Sequence, residues 1–188
     1  MTRHSERLTI GVTVALILLG AVLRIFRHDG LLPLPPNVAP VTALALLSAA
    51  YLPRRWGWMV PLGIMIGSDL IIGTYTWQVM MSVYLSFAAG FGVGFWLRRR
   101  VSASRLLAAS LIASSLFFLV TNAAVWAFQT MYPHTLAGLG QAYVAGMPFF
   151  RNTLVGDLGY SGIFFGLRAV LVVYSRRLMQ RISVAPHA

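Results

Sequence analysis

The stretch RRRVSASR, Arg98 to Arg105, followed by LLAASLIASSLFFLVTNAAVWAF, Leu106 to Phe128, decides the fold class. A dense arginine cluster stands directly before an apolar run long enough for a membrane-spanning helix, which needs about 20 residues. Cytoplasmic loops of membrane proteins carry an excess of arginine and lysine. The stretch therefore predicts a helix that begins at the cytoplasmic side and crosses a membrane.

The same alternation of arginine clusters and apolar runs repeats along the chain. Arginine supplies all 15 of the arginine and lysine residues, and it is dense at every other connection between the runs. The other clusters are Arg3 with Arg7, Arg54 with Arg55, and Arg176 and Arg177 with Arg181. The formal charge of +11 thus reflects topology, and it does not indicate a nucleic-acid partner.

The composition points the same way. Hydrophobic residues make up 58% of the chain and charged residues 10%, whereas a soluble domain is about one-quarter charged. A soluble fold of this composition would expose large apolar patches to water. We therefore predict one membrane domain over residues 1–188, placed in the lipid bilayer of a bacterial inner (cytoplasmic) membrane.

Apolar runs and prolines together predict an all-α protein with six transmembrane helices and both termini in the cytoplasm. Pro40 suits the first turn of the second helix, and Pro53 ends it. Small residues four apart, such as Ala45/Ala49, Gly63/Gly67, Gly90/Gly94 and Gly162/Gly166, predict close helix packing. The predicted helices cover residues 8–26, 39–52, 56–73, 78–97, 106–128 and 149–174.

No pattern in the chain predicts an enzyme or a catalytic cofactor. Cysteine is absent, which excludes thiolate nucleophiles, thiolate metal sites and disulfides. Gly159-Tyr160-Ser161-Gly162 has the G-x-S-G form of a serine nucleophile, but Ser161 has no histidine base inside a helix. A small packing face is the better interpretation of this motif.

Polar residues converge on the outer half of the predicted bundle although they come from different helices. Ionisable side chains in a bilayer are costly and mark function or a structural ion pair. Asp69 and Arg151 either form a structural ion pair or bind a ligand, and the two interpretations are compatible because a pair can form the floor of a pocket; Asp157 lies deeper and is either protonated or bridged from a neighbouring helix. The other residues at the outer level are Asn37, Tyr75, Trp77, Tyr84, Asn122 and Asn152. This arrangement predicts a ligand pocket open to the outside.

Three motifs add a family resemblance. They are Pro35-Pro36-Asn37-Val38-Ala39-Pro40, then Gly67-Ser68-Asp69-Leu70, then Pro148-Phe149-Phe150-Arg151-Asn152-Thr153 with Asp157 following. Together they resemble the S components of energy-coupling-factor (ECF) transporters, and within that group the solitary cobalamin transporter family, BtuM. The resemblance covers about residues 30–170.

The resemblance implies an S-component fold that carries vitamin B12 or a related corrinoid as its transported ligand. It assigns binding roles to Asp69, Tyr84 and Arg151. It also implies that Ala45 and Ala49 lie on a face that meets a shared ECF energising module, although uptake without a dedicated module is equally compatible with this family.

One branch of that family ligates cobalt through a cysteine, which this chain lacks. Met80 and His134 are the remaining candidates for a contact with cobalt, and Met80 joins the expected substrate-binding set. The alternative, which we favour, is that no protein side chain ligates the metal. Two other functions stay open: an S component for a smaller vitamin or nucleobase, and a structural membrane subunit without a ligand.

Overall fold

The computed structural model describes residues 3–28, 31, 33–73 and 76–184, and every regular element in these ranges is a helix. Six helices are longer than one turn, as predicted, and a single extra turn precedes the fourth element. In chain order the helices are α1 Arg3–His28, α2 Val41–Tyr51, α3 Arg54–Gly57, α4 Met59–Ile72, α5 Trp77–Arg99, α6 Ala103–Phe128 and α7 Leu136–Val184.

Three of these helices are long and apolar enough to cross a membrane: α5, α6 and the part of α7 from Leu136 to Ser175. Large apolar side chains also cover the outside of the bundle, among them Leu70 at 80% and Val170 at 66% exposed. Such a surface suits lipid and not water. These features indicate a helical membrane protein.

The shortest of the apolar helices, α2, forms the centre of the bundle. It contacts every other helix of the described chain, and all of its residues except Tyr51 are buried. Its leucines pack with side chains of α1, α5 and α7, such as Leu16, Leu97 and Phe164. At about 1.5 Å per residue, its 11 residues span only about 16 Å. Burial inside the bundle, not contact with lipid, therefore explains why α2 is apolar all round.

Prolines and an arginine set the ends of α2. Pro40 stands at its N-terminus, and Leu52, in the extended conformation that a following proline favours, ends it before Pro53. At this end Arg98 of α5 donates hydrogen bonds to the carbonyls of Ala49, at 3.0 Å, and of Leu52. Because the last carbonyls of a helix have no intrahelical partner, Arg98 supplies the bonds that water cannot supply here.

The last helix begins earlier than expected, and this boundary prediction was wrong. We expected a helix from about residue 149 after a break at Pro148, but α7 begins at Leu136 and continues through Pro148. Thr135 caps its start by accepting a hydrogen bond from the Gly138 backbone at 3.1 Å. Packing of α7 on α6, α2 and α1 maintains the helix across the proline, as occurs in membrane bundles.

Each long helix contacts the next one along the chain, so connections lie alternately at two ends of the bundle. The arginine-poor end holds the described residues of the connections before α2 and before α5, 33–40 with 31, 73 and 76, and the connection 129–135. The arginine-rich end holds the connections 52–58 and 100–102, with Arg54, Arg55 and Arg98 to Arg100. The candidate site residues lie toward the arginine-poor end.

Candidate functional site

Asp69 forms a charged group with residues of two other helices. Its side chain is buried, and one carboxylate oxygen lies 3.1 Å from the Arg24 guanidinium of α1. The Tyr84 hydroxyl of α5 donates to the other carboxylate oxygen at 2.9 Å. Arg24 also donates to the Met65 sulfur of α4. We call Arg24, Asp69 and Tyr84 the Asp69 group; it ties α1, α4 and α5 together.

The expected ion pair between Asp69 and Arg151 is wrong. Arg151 is exposed on α7, and α7 does not contact α4 in the described structure. The neighbour of α4 is α1, which carries Arg24 at the same level of the bundle. The structure thus brings together two of the predicted residues, Asp69 and Tyr84, and replaces the third by Arg24.

A second grouping surrounds a cavity between α6 and α7, which we call the α6–α7 cavity. Its volume is about 180 Å³. Four phenylalanine rings supply most of the wall, and Asn37 from the connection before α2 closes it. The lining residues are Asn37, Phe117, Phe118, Thr121, Asn122, Val125, Gly146, Phe149, Phe150 and Thr153. The cavity therefore unites the predicted residues Asn37 and Asn122, and none of the described residues that line it is charged.

Asn122 is the best-placed polar group of the cavity. Its amide nitrogen donates to the Phe118 carbonyl at 2.8 Å, which leaves the amide oxygen as an acceptor. That oxygen lies against Gly146, where a Cβ atom would come within 2.5 Å of it. Glycine at position 146 thus makes room for the Asn122 side chain, and the amide can offer both an acceptor and its second N–H to a ligand.

Asn37 reaches the cavity through an unusual backbone conformation. Its φ angle is 65°, in the left-handed region, and the Val38 backbone donates to the Pro35 carbonyl at 3.3 Å across the turn. A turn with proline at its second position and a positive φ at its third favours glycine or asparagine there. The motif Pro35-Pro36-Asn37-Val38 therefore holds the turn that carries Asn37 to the cavity.

Other predicted residues lie elsewhere. Trp77 is exposed at the start of α5, Met80 is half-buried one turn later, and Asn152 is half-buried on α7 without lining the cavity. His134 is exposed, with its Nε2 atom 3.3 Å from the Gln129 carbonyl. Tyr75 lies outside the described residues. Neither Met80 nor His134 lines the α6–α7 cavity, and no group of three metal-ligating side chains occurs in the described ranges.

An apolar layer lies between the two groupings. Phe117, which lines the cavity, packs on Phe87 of α5 with ring centroids 5.2 Å apart. Phe87 belongs to a cluster with Met65, against which Tyr84 also packs. The Asp69 group is thus close to the cavity wall but does not line the cavity, so its charges act on a bound molecule only through this layer.

A third polar grouping, which we call the Asp157 cluster, lies deeper between α2, α6 and α7. Ser114 lies 2.6 Å from a carboxylate oxygen of Asp157, and Ser110 donates to Ser161 at 3.1 Å. Thr42 of α2 also hydrogen-bonds the Asp157 carboxyl group. Side chains of neighbouring helices thus bridge Asp157, and this was one of the two alternatives that the sequence offered for it. Sequence reasoning did not single out Ser110 and Ser114. These two serines lie one turn apart on α6, and the two residues that they face, Ser161 and Asp157, lie one turn apart on α7.

Comparison with known proteins gives one match. Residues 4–181 match the model of a family of unknown function, DUF6580. The chain belongs to the DUF6580 family. No curated protein and no solved structure matches it. All three polar groupings lie within the stretch that DUF6580 covers.

Proposed function

We propose that this DUF6580 protein is a solute-binding transporter that takes up a small, uncharged, flat organic molecule through the α6–α7 cavity. The carrying observation is the cavity itself: about 180 Å³, walled by phenylalanine rings, with the amides of Asn37 and Asn122 at its edge. An apolar pocket with a few convergent polar groups is the usual form of a ligand site.

The lining selects the solute class. Aromatic walls favour a flat ring, which stacks on or packs against them. The Asn122 amide offers an acceptor and a donor side by side, which complement an amide-like edge such as that of nicotinamide or a nucleobase. A charged solute is disfavoured because the cavity offers it no counter-charge.

The volume sets this solute apart from cobalamin. Pockets for drug-sized ligands measure about 300–1,000 Å³, and a corrinoid is larger than a drug-sized ligand, whereas the cavity measures about 180 Å³. Cobalamin would need the arginine-poor end to open widely. The smaller vitamin or nucleobase is therefore our first candidate, and the family resemblance alone keeps cobalamin as the second.

The transporter proposal includes six spans with both termini inside, an S-component-like bundle, and the cytoplasmic membrane of a bacterium. Support comes from the alternation of arginine-rich and arginine-poor ends and from the motifs that resemble S components. The expected docking face for an ECF module is different: Ala45 and Ala49 are fully buried inside the bundle. A partner at that face would have to displace α5, so the proposal does not rely on it.

Ligand binding to the purified protein tests the proposal. Nicotinamide, uracil and cyanocobalamin are titrated by calorimetry into the wild-type protein and into Asn122→Ala. We expect saturable binding of nicotinamide or uracil and a loss of about 5- to 100-fold in affinity in the variant, since an unmade hydrogen bond costs about 1–3 kcal/mol.

Two further variants make the test specific. Asn37→Gly keeps the turn, because glycine accepts a positive φ, and removes only the amide, so binding should weaken while thermal stability stays. Asn152→Ala removes an amide of α7 that does not line the cavity, so binding should not change. Binding of cyanocobalamin alone would favour the corrinoid, and absence of all binding would favour the structural subunit; either result would overturn the proposed solute.

A further inference from the structure

Asp157 is a buried carboxyl group that the cavity does not use. It is 2% exposed, and the structure surrounds it with hydroxyl groups instead of a cation. Its partners are Ser114 and Thr42, and within the described ranges no cation forms an ion pair with it, in contrast to Asp69. A carboxylate without a counter-charge is costly in such surroundings, so the neutral acid is the favoured form.

Counting hydrogens leads to the same form. The Ser114 hydroxyl lies 2.8 Å from the Ser110 carbonyl and 2.6 Å from an Asp157 oxygen, but a serine hydroxyl has only one hydrogen to donate. If Asp157 were ionised, one of these two short contacts would join two acceptors. If Asp157 carries a proton, it donates to Ser114, and Ser114 donates to Ser110. The protonated acid gives each of the two contacts a hydrogen of its own.

Further hydroxyl groups lie beyond Asp157 toward the arginine-rich end. Ser110 lies one turn from Ser114 along α6, and its hydroxyl donates to Ser161, one turn beyond Asp157 along α7. All three serines are at most 1% exposed. The Ser114 hydroxyl meets the backbone carbonyl of Ser110 and not its hydroxyl, so the Ser110–Ser161 pair is a separate polar contact, about one helical turn, roughly 6 Å, inward from Asp157.

On its other side Asp157 adjoins the cavity. Thr153, which lines the cavity, precedes Asp157 by one turn of α7. Gly156 packs against Val38, where an added Cβ would come within 3.1 Å of the Val38 Cα atom; Val38 follows Asn37 of the cavity wall. The N-terminus of α2, the positive end of that helix, lies at Thr42 and reduces the cost of the ionised form. The carboxyl group can therefore both hold and release a proton.

We propose that Asp157 is a proton-binding site that couples uptake of the solute to a transmembrane proton gradient. A proton from the arginine-poor side converts the Asp157 carboxylate to the acid while the cavity is loaded. Release of that proton to solvent at the arginine-rich side regenerates the carboxylate. One proton crosses per cycle, and the gradient supplies the free energy. The coupling rests on the proposed uptake, whereas the proton site stands without it.

Asp157 is the group that we expect to titrate in this part of the bundle, because the other charged and titratable side chains lie elsewhere or have other partners. On α7 the nearest titratable side chain is Tyr160, three residues on and stacked on Phe164, and the nearest charged ones are Arg151, which is exposed, and Arg168, three turns away beside Tyr51 of α2. On α6 the one charged residue is Arg105, at the arginine-rich end. On α1, Arg24 is engaged by Asp69. None of these is a partner of Asp157.

Infrared spectroscopy tests the proton site without any solute. The chain has only four acidic residues, so carboxyl bands can be assigned by substitution. At neutral pH we expect the wild-type protein to show a protonated carboxyl C=O band that Asp157→Asn removes and Asp69→Asn retains. Ser114→Ala should shift that band, because the acid loses its acceptor, while Ser115→Ala should not. If the wild-type protein showed no such C=O band, or if Asp157→Asn removed a carboxylate band instead, the proton site would be overturned.

Reconstituted vesicles test the coupling. Uptake of labelled nicotinamide and labelled uracil is followed with and without an inward-acid gradient. We expect a several-fold stimulation by the gradient in the wild-type protein and in Ser115→Ala, and its loss in Asp157→Asn with binding retained. Equal uptake with and without the gradient would overturn the coupling alone. If neither compound binds or enters, the proposed function and the coupling fail together, while the infrared result decides the proton site.

Discussion

Two acidic side chains are buried in this bundle in different ways. Asp69 meets Arg24 and Tyr84 at 3.1 and 2.9 Å, so it is held as a carboxylate by a cation. Asp157 meets only hydroxyl groups. The first arrangement fixes three helices relative to one another; the second leaves a proton exchangeable. At the scale of single residues, the identity of the partner therefore separates a structural acid from one suited to transport.

The Asp69 group yields a stability prediction. Asp69→Asn removes the carboxylate that the largely buried Arg24 meets, and loss of one partner of a buried pair costs on the order of 3–5 kcal/mol. We expect a clearly lowered thermal unfolding temperature in detergent, followed by tryptophan fluorescence. Arg24→Gln together with Asp69→Asn should recover part of the loss, because neither charge of the pair remains.

Arg151→Gln is the matched control for this prediction. Arg151 is exposed and does not contact α4, so the unfolding temperature of Arg151→Gln should equal that of the wild-type protein. Solute binding should survive Asp69→Asn, since Asp69 does not line the cavity. A destabilised Arg151→Gln, or loss of binding without loss of stability in Asp69→Asn, would contradict the assignment of the Asp69 group to structure.

The sequence placed Asp69, Tyr84, Asn37 and Asn122 at one level of the bundle, but it could not pair them. The level follows from position along each helix, at about 1.5 Å per residue. Pairing depends on which helices are neighbours, and the period of apolar residues carries no such information in lipid, where both lipid and helix are apolar. Arg24 ends the first predicted helix at the same level, but the sequence does not show that this helix lies beside α4.

At the scale of helices, glycine spacing predicted packing correctly in one place and failed in others. Gly94 lies against α2, where an added Cβ would come within 2.5 Å of the Ala49 Cβ atom. Gly63, Gly67, Gly162 and Gly166 are exposed and have no atom within 4 Å of an added Cβ. Four-residue spacing therefore marks a smooth helix face, but it does not say whether protein or lipid covers that face.

This difference predicts unequal effects of the same substitution. Gly94→Leu must push α5 away from α2, and overpacking costs about 1–3 kcal/mol or more, so we expect a lower unfolding temperature and a smaller monodisperse fraction on size exclusion. Gly63→Leu adds the same side chain to an exposed position and should leave both unchanged. Equal destabilisation by the two variants would mean that another surface covers Gly63.

The start of α7 was the helix boundary that the sequence predicted worst. Pro148 was taken as a break because proline removes a helical hydrogen bond, yet α7 continues through it. The signal that would have corrected this is Thr135, which accepts from the Gly138 backbone. A capping threonine is local and visible in the sequence, whereas the packing that maintains the helix across Pro148 is not.

At the scale of the whole molecule, the polar groupings are ordered along the axis that joins the arginine-poor end to the arginine-rich end. The cavity and the Asp69 group lie toward the arginine-poor end, and the Ser110–Ser161 pair lies one turn nearer the arginine-rich end than Asp157. Composition and arginine spacing were enough to predict the helical membrane class and this polarity, because both depend on the bilayer as solvent. The cavity depends on Asn122, Gly146 and four phenylalanine rings meeting, which only the packed helices reveal.

The orientation of this molecule is open to a direct test, because the chain contains no cysteine. A cysteine at Met131, 67% exposed at the arginine-poor end, and one at Val101, 40% exposed at the arginine-rich end, can each be the sole reactive thiol. In intact spheroplasts an impermeant maleimide should label Met131→Cys and not Val101→Cys. Both should react after permeabilisation, which controls for thiol access.

The reverse labelling pattern would have a definite consequence. The cavity would then open toward the cytoplasm, and the arginine-rich end, to which Asp157 releases its proton in the proposal, would face outward. A proton gradient directed into the cell could no longer load Asp157 from the cavity side and drive uptake, so the same residues would describe export. The labelling of Met131→Cys relative to Val101→Cys therefore decides the direction of transport before any solute is identified.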